Sequence, residues 1–529
     1  MKKIFVGPWK ATLIFLVAIS LFLLSSATQV NSQSAGSAII QRENTTSGEL
    51  ARRMTGESFV ADKKTIIVKP QQWAGKEDVV SDDIKGRLTK DSNPIEEQKD
   101  RENILILNLE NENDLEPTLR DLLEDGDVEY AQPLYKYIPA YTPNDTSFNG
   151  QWYLKNSAGG SYRGLKMESA WDYMAGVKGL GSCNETPNGR RCGGETDVKV
   201  AVIDTGVNTN ISDFAQTNFD TANQIRYYGN NQMQIGSQYD YYGHGTAVAG
   251  QIAMSDNSIG GIGVAYNTTI LPIALHNEAS NTLNIANGIY YAIDHGADVI
   301  NISLVSLAPD NYLRSALIEA KNQGVVVVAA AGNCGNKFAD DDKCFGAGAP
   351  RIWNPILYPA AYKETITVGA SNVNYARSAY SSYGSHIDIV APVGDSTVSP
   401  NGVTGQCGVD PNNNNTDKPI CNSLGSFIGG MFGTSYAAPQ VAGIAALIKS
   451  VNPNANLDTV KYILLDTSTD LGNPGKDVEF GYGLVDADEA LKEAVNYSGW
   501  VSDNSGRTSY PMSMTSFNNR LYVSHVGTN

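Results

Sequence analysis

The chain has 529 residues, a formal net charge of −17 and a sequence pI near 4.8. That balance argues against a nucleic-acid partner, because phosphate binding needs a basic face. The length implies more than one domain, and 41% hydrophobic residues with 51 glycines and 21 prolines fit a globular, loop-rich protein rather than a fibrous or disordered one.

The first 27 residues read as a targeting signal. Lys2, Lys3 and Lys10 precede the apolar run Ala11–Leu24, and Ser25, Ser26 and Ala27 supply small residues for cleavage. The run is short for a membrane span, so export is the expectation, with an uncleaved anchor as the alternative. Residues 28–62 are polar and read as a flexible segment. A strand over Thr65–Pro70, a charged stretch over Lys76–Glu102 and a strand over Ile104–Leu109 follow. Leu115, Leu119, Leu122 and Leu123 have helical spacing that Gly126 ends, and Val128–Leu134 reads as another strand. Residues 63–140 thus form a small α+β unit.

From about Tyr141 charge thins, and short apolar runs alternate with amphipathic ones. Strands are expected at Val198–Ile203, Thr269–Leu275, Asp298–Leu304, Val325–Ala330, Thr365–Ala370 and Ile387–Ala391. Helices are expected at Thr246–Ala253, Ile285–His295 and Tyr312–Asn322, and along the apolar run Val441–Ile448. This alternation indicates an α/β fold, a mostly parallel sheet covered by helices on both faces. Sites in such sheets gather at the carboxyl ends of strands. Residues 497–529 are a C-terminal extension with a strand-like Arg520–Val523, too short to be a stable domain alone.

Four segments carry chemistry. Val202-Ile203-Asp204-Thr205-Gly206 ends an apolar strand in a carboxylate, which is unfavourable there without a partner. Tyr242-Gly243-His244-Gly245-Thr246 opens a helix with a histidine flanked by glycines, one of only five histidines in the chain. Ala329-Ala330-Ala331-Gly332-Asn333 ends a strand in an amide that can donate to an oxyanion. Gly433-Thr434-Ser435-Tyr436-Ala437-Ala438-Pro439 places a serine on the first turn of a buried helix, near unpaired backbone N–H groups and the positive end of the helix dipole. Pro439 lies close to the helix start, where a missing N–H matters least.

In this order the four segments resemble those of the subtilisin-like serine proteases, over roughly Tyr141 to Ala494. The resemblance implies peptide-bond hydrolysis, with Ser435 as nucleophile, His244 as base, Asp204 orienting it and Asn333 holding the oxyanion. Ser303, Leu304 and Val305, with Ala331 and Gly332, match the strands that line the substrate cleft. Val305 stands where many members have glycine, and Tyr436 where many have methionine. The α+β unit resembles the family's propeptide, an intramolecular inhibitor and chaperone, which implies self-cleavage near Ile138–Pro143.

The segment Ser255–Val264 resembles the family's calcium loop. Carried over by position, Asn257 supplies its side chain, Ser255, Ile259 and Gly261 supply carbonyls, and Asp213 a carboxylate. Tyr141–Asp145 resembles the mature start of thermitase-like members, which adds Asp145. A mixed oxygen set suits Ca²⁺. Six cysteines fall in close pairs along the chain, Cys183 with Cys192, Cys334 with Cys344 and Cys407 with Cys421. Six thiols allow fifteen connectivities. Local pairing is the simplest, and a zinc site lacks any Cys-x-x-Cys. The resulting expectation is a secreted, calcium-stabilised, monomeric endopeptidase acting on polypeptides and made as a zymogen; the alternatives are a specific processing or anchored protease and an inactive binding protein that keeps the fold.

Overall fold

The run Lys199–Asp204 is buried along almost its whole length, as a strand covered on both faces must be. It forms the middle of the sheet around which the larger part of the protein is built. The computed structural model describes residues 60–70, 96–98, 104–109, 111–126, 128–135, 142–156, 164–177, 184–186, 189–228, 233–235, 240, 242–275, 280–335, 356–395, 403–406, 427–497, 512–517 and 520–525. These divide into two compact units, one including Ala61–Leu134 and the other Tyr135–Asn529.

The smaller unit holds β1 (Val60–Pro70), β2 (Glu96–Gln98), β3 (Ile104–Asn108), α1 (Leu115–Glu124) and β4 (Val128–Tyr135). Its sheet runs β2-β3-β1-β4, with β1 and β3 antiparallel and Ile66 opposite Leu107. Leu115, Leu119 and Leu122 of α1 are buried, as are Ile66, Val68, Leu107 and Ala131 of the strands. The helical leucine spacing thus marks the face that the sequence suggests. Two details differ. β1 opens at Val60, inside the segment read as flexible and ahead of the apolar run that marks the strand in the sequence. A short strand, β2, lies in the charged stretch, where no apolar alternation signals it.

The larger unit carries β5 (Asn184–Thr186) and β6 (Gly189–Arg191) as a hairpin, then β7 (Lys199–Asp204), β8 (Asn218–Phe219), β9 (Ile225–Tyr227), β10 (Met233–Ile235), β11 (Thr269–Leu275), β12 (Val299–Ile302), β13 (Val326–Ala330), β14 (Ile366–Ser371) and β15 (Ile389–Pro392). β16 (Val403–Gln406) pairs with β17 (Phe427–Met431), and β18 (Met512–Phe517) with β19 (Arg520–His525). The main sheet runs β10-β9-β11-β7-β12-β13-β14-β15, with β8 beside β11. Its pairings from β9 to β15 are parallel, and only β10 is antiparallel to its neighbour.

Helices α2 (Met167–Gly176), α3 (His244–Ala253), α4 (Thr282–Asp294), α5 (Asn311–Asn322), α6 (Thr434–Val451), α7 (Leu457–Asp466) and α8 (Ala487–Asn496) cover it. Side chains alternate between two cores. Val200 and Val202 join the buried residues of α2, α3, α6, α7 and α8. Ala201 and Ile203 join those of α4 and α5. This is the doubly covered parallel sheet expected from the apolar runs. The chain leaves β7 for β11 on one side and returns to β12 on the other, so the strand order reverses at β7. A reversal of that kind opens a crevice at the strand ends. Among the described residues no helix is long and apolar enough to cross a membrane.

Candidate active site

Asp204 ends β7 with its side chain 1% exposed. Its Oδ1 accepts from Thr205 N at 2.7 Å and faces His244 Nδ1 at 2.7 Å. His244 is the first residue of α3, and Gly243 before it takes φ 79°. Gly245 explains how the helix start comes so close. A Cβ there would meet Gly206 O at 2.1 Å and the Asp204 Cβ at 3.0 Å, so only glycine lets the turn seat against the end of β7. Burial works against a charge on the His244 imidazole. The charge and hydrogen bond of Asp204, with the charge of Asp240, outweigh it and hold the imidazolium above its ordinary range.

Ser435 is the second residue of α6, reached through Gly433 at φ 132°. The turn is tied to the end of β13. Thr434 donates through both N and Oγ1 to Asn333 Oδ1, at 2.9 and 3.0 Å, and Thr434 Oγ1 accepts from Gly332 N at 3.1 Å. With its oxygen so engaged, Asn333 turns its amide nitrogen the other way, and the residue is exposed.

The Ser435 hydroxyl donates to Ser303 O at 3.2 Å, just past β12. In return Ser303 Oγ donates to Ser435 O at 2.8 Å and accepts from the buried Asn301 Nδ2 at 3.0 Å. The first of these bonds has a cause in the sequence. Residue 439 is proline, so the carbonyl four residues earlier, that of Ser435, has no helical N–H to accept from. Ser303 supplies the missing donor.

The rings of His244 and Tyr436 are 5.8 Å apart between centroids, which brings the Asp204–His244 pair and the Ser435 turn to one rim. Of the cleft residues, Ser303, Ala331 and Gly332 are buried and Leu304 is half-buried. Val305 is 47% exposed and Leu307 45%, an apolar lip beyond β12. Ser306 and Tyr358 exchange two backbone bonds, at 2.7 and 3.0 Å, and hold the base of that lip.

A second cluster lies away from this rim. Asn257 N donates to Asp145 Oδ1 at 3.1 Å, Gly261 N to Asp213 Oδ2 at 3.1 Å and Ile259 N to Asn257 Oδ1 at 2.9 Å. Ser255 N bonds Asp213 O at 2.9 Å, and Ser147 N bonds Gly260 O at 2.6 Å. The residues expected around calcium thus share one neighbourhood. Asp145 is 4% exposed, and its Oδ2 has no hydrogen-bond partner. Burial, with the charges of Asp256 and Asp213, pushes its carboxyl up to about 7. Among the described residues no three or more His, Cys, Asp or Glu side chains gather as a metal site, so any ion here depends on carbonyl and amide oxygens as well.

Cys192 and Cys334 are buried, and neither is a free thiol. Cys183, Cys344, Cys407 and Cys421 lie outside the described residues, as do residues 1–59 and the Ile138–Tyr141 part of the expected cleavage region. Reading the motifs alone misses Asp240, which binds both Thr205 and Thr246. The available signal is its place four residues before His244, at the mouth of the same helix.

A carboxylate, an imidazole, a helix-borne serine and an amide at the ends of parallel strands define a serine hydrolase of subtilisin-like fold. Comparison with known proteins gives the family. The subtilase family model matches residues 195–483, more than half of the chain. Subtilisin DY of Bacillus licheniformis is 34% identical over 300 residues, covering 56% of this chain and 91% of its own. A thermophilic serine proteinase of Bacillus sp. strain AK1 is 32% identical over 370 residues, covering 69% and 73%. The M-protease of Shouchella clausii is 35% identical, and the match spans 64% of its length. A solved protease structure from Pseudoalteromonas arctica PAMC 21717 matches with TM-score 0.51 at 29% identity, covering 67% of this chain and all of that one. The chain belongs to the subtilase family, a family of subtilisin-like serine endopeptidases.

Proposed function

We propose that this protein is an exported serine endopeptidase made as a self-processing zymogen. The 2.7 Å contact between Asp204 and His244, at the same rim as Ser435 and Asn333, carries the reading. The resting Ser435 hydroxyl lies on Ser303 O. In the reaction it turns to His244 Nε2, gives up its proton there and attacks the peptide carbonyl. Asp204 keeps the other ring nitrogen protonated and stabilises the imidazolium. The Asn333 amide and the Ser435 N–H donate to the tetrahedral oxyanion. His244 then protonates the leaving amine, and the acyl-enzyme forms. A water molecule, deprotonated by His244, releases the acid and restores the serine.

Substrate pairs along Ser303–Val305 and along Ala331 and Gly332. Val305, exposed at the entrance, narrows the approach to the pocket for the residue before the cut. The unit of β1–β4 and α1 acts as inhibitor and chaperone until cleavage near Ile138–Pro143. The mature enzyme is a monomer with locally paired cysteines, Cys183 with Cys192, Cys334 with Cys344 and Cys407 with Cys421.

The cluster around Asp145 fits calcium. The support is the buried Asp145 Oδ2 without a hydrogen-bond partner, in a set of hard oxygens. Asp145, Asp213, the Asn257 side chain and the carbonyls of Ser255, Ile259 and Gly261 would hold the ion. Bound there, it neutralises carboxylates that burial and mutual repulsion disfavour, and it takes no part in hydrolysis.

A fluorophosphonate probe tests the reading. It should label the wild-type protein at Ser435 and leave Ser435→Ala unlabelled. Pure Ser435→Ala protein should keep its propeptide, and full maturation of that variant would overturn the assignment.

A further inference from the structure

Asp240 is a completely buried carboxylate to which the hydrolytic steps assign no role. Its Oδ1 accepts from Thr205 Oγ1 at 2.7 Å, Gly243 N at 2.9 Å and Tyr242 N at 3.1 Å. Its Oδ2 accepts from Thr246 Oγ1 at 2.6 Å and Thr246 N at 2.8 Å. Among the described residues Asp240 is the one acceptor that either hydroxyl has, and this sets the direction of the two bonds. Thr205 Oγ1 already accepts from Gly245 N at 2.9 Å, and Thr246 Oγ1 from Asn208 N at 2.9 Å. Each hydroxyl hydrogen therefore points at Asp240. Five donors converge on two oxygens and favour the anion, against burial and the charge of Asp204, which push the carboxyl above its ordinary range.

The segments it joins are those that carry the acid and the base. Thr205 follows Asp204 and Asn208 continues that turn, while Tyr242, Gly243 and Thr246 surround His244. We propose that Asp240 is a positioning residue of the catalytic unit: a second buried carboxylate that clamps the Asp204 turn to the His244 turn and places another negative charge beside the imidazole. This rests on the reading of Asp204, His244 and Ser435 as a hydrolytic triad. The charged and titratable groups facing His244 are Asp204 from the end of β7, Asp240 from the loop before α3, and Tyr436 from α6. Burial, with the charges of Asp204 and Asp240 and the nearby Tyr380, pushes the Tyr436 phenol up, so it stays neutral. Asp204 and Asp240 thus supply the negative charge at the ring.

The first test needs no turnover. Histidine is titrated by NMR in full-length Ser435→Ala protein, with and without Asp240→Asn, the His244 signal being assigned by its loss in His244→Gln. Removing the Asp240 charge should lower the proton affinity of His244 about threefold to tenfold. An unmoved midpoint in folded protein overturns the proposal. Should Asp240→Asn not fold, the mature enzyme is compared as Thr205→Val and Thr205→Ser. The valine variant should lose about tenfold in kcat with KM within about twofold, and the serine variant, which keeps the hydroxyl, should recover most of it. An unchanged kcat in Thr205→Val, or equal losses in both, overturns it as well. Failure of the wild type to label with fluorophosphonate would instead sink the hydrolase reading, and the Ser435→Ala titration would still report on Asp240.

Discussion

The bond from Ser303 Oγ to Ser435 O exists because position 439 is a proline, and that cause can be tested as a coupling. Ser303→Ala removes the donor at 2.8 Å and strands two groups, the Ser435 carbonyl and the buried Asn301 Nδ2 that donated a hydrogen bond to Ser303 Oγ. An unsatisfied buried polar group costs about 1–3 kcal/mol. Pro439→Ala returns an N–H to the helix at the position that addresses the Ser435 carbonyl. In that background Ser303→Ala strands only Asn301. The Asn301 loss is common to both backgrounds and cancels in a double-mutant cycle. The coupling that remains is the carbonyl's own, about 1–2 kcal/mol.

Denaturant unfolding in the Ser435→Ala background measures it without self-digestion, and the Ser435→Ala change leaves the carbonyl in place. For a folded unit of this size, each kcal/mol shifts Tm by about 1–2 °C, so thermal scans should show the same order. Ser303→Ala should be clearly less damaging in the Pro439→Ala protein than alone. Equal damage in both backgrounds would mean that the proline does not explain the bond, and that Ser303 acts on Asn301 alone.

Asn333→Leu should keep KM and lower kcat by about 10²–10³, a loss already measured for the corresponding oxyanion donor in subtilisin; initial rates on a peptide anilide settle it, and a drop of under threefold would remove Asn333 from the oxyanion site. Because Asp204 and Asp240 hold the His244 imidazolium above its ordinary range, and the neutral ring is the working base, kcat/KM should rise with pH through a midpoint above about 6.5; a midpoint below it contradicts the electrostatics. Chelation of calcium should lower Tm, and more so at pH 8 than at pH 5. Without the ion, folded Asp145 keeps its proton up to about 7 while the unfolded chain gives it up near 3.8, so ionisation erodes stability as pH rises through that window. Equal chelator effects at both pH values would argue against Asp145 as a ligand.

The sheet was legible because strands buried on both faces must be apolar throughout. Val326–Ala330, which follows the amphipathic helix Asn311–Asn322, contains nothing but valine and alanine, as a strand covered on both faces requires. The edges were less legible. β9 and β10 are three residues each, and β10 contains the exposed Met233, so neither an apolar run nor an alternation marks them. α2 also went unread. Six of its ten residues are buried, and its N-cap position is Lys166 in a left-handed turn that no capping residue announces. Asp204, His244, Asn333 and Ser435 stood out because each sits within two residues of a glycine at an element boundary, where backbone geometry restricts the choice of side chain.

Asp240 shows what that kind of reading leaves out. Its role comes from accepting bonds from two threonines on segments 35 and 6 residues away, and a lone aspartate in a tyrosine-rich loop carries no periodicity, only its place four residues before His244. The same holds for Ser303 and Pro439, which are 136 residues apart by number and matter to each other only through the Ser435 carbonyl. Motifs record residues that meet the substrate. The residues that hold those in register are chosen by three-dimensional hydrogen-bond balance, each donor answering one acceptor, and that balance becomes visible only when the strand ends and helix starts are brought to the same rim.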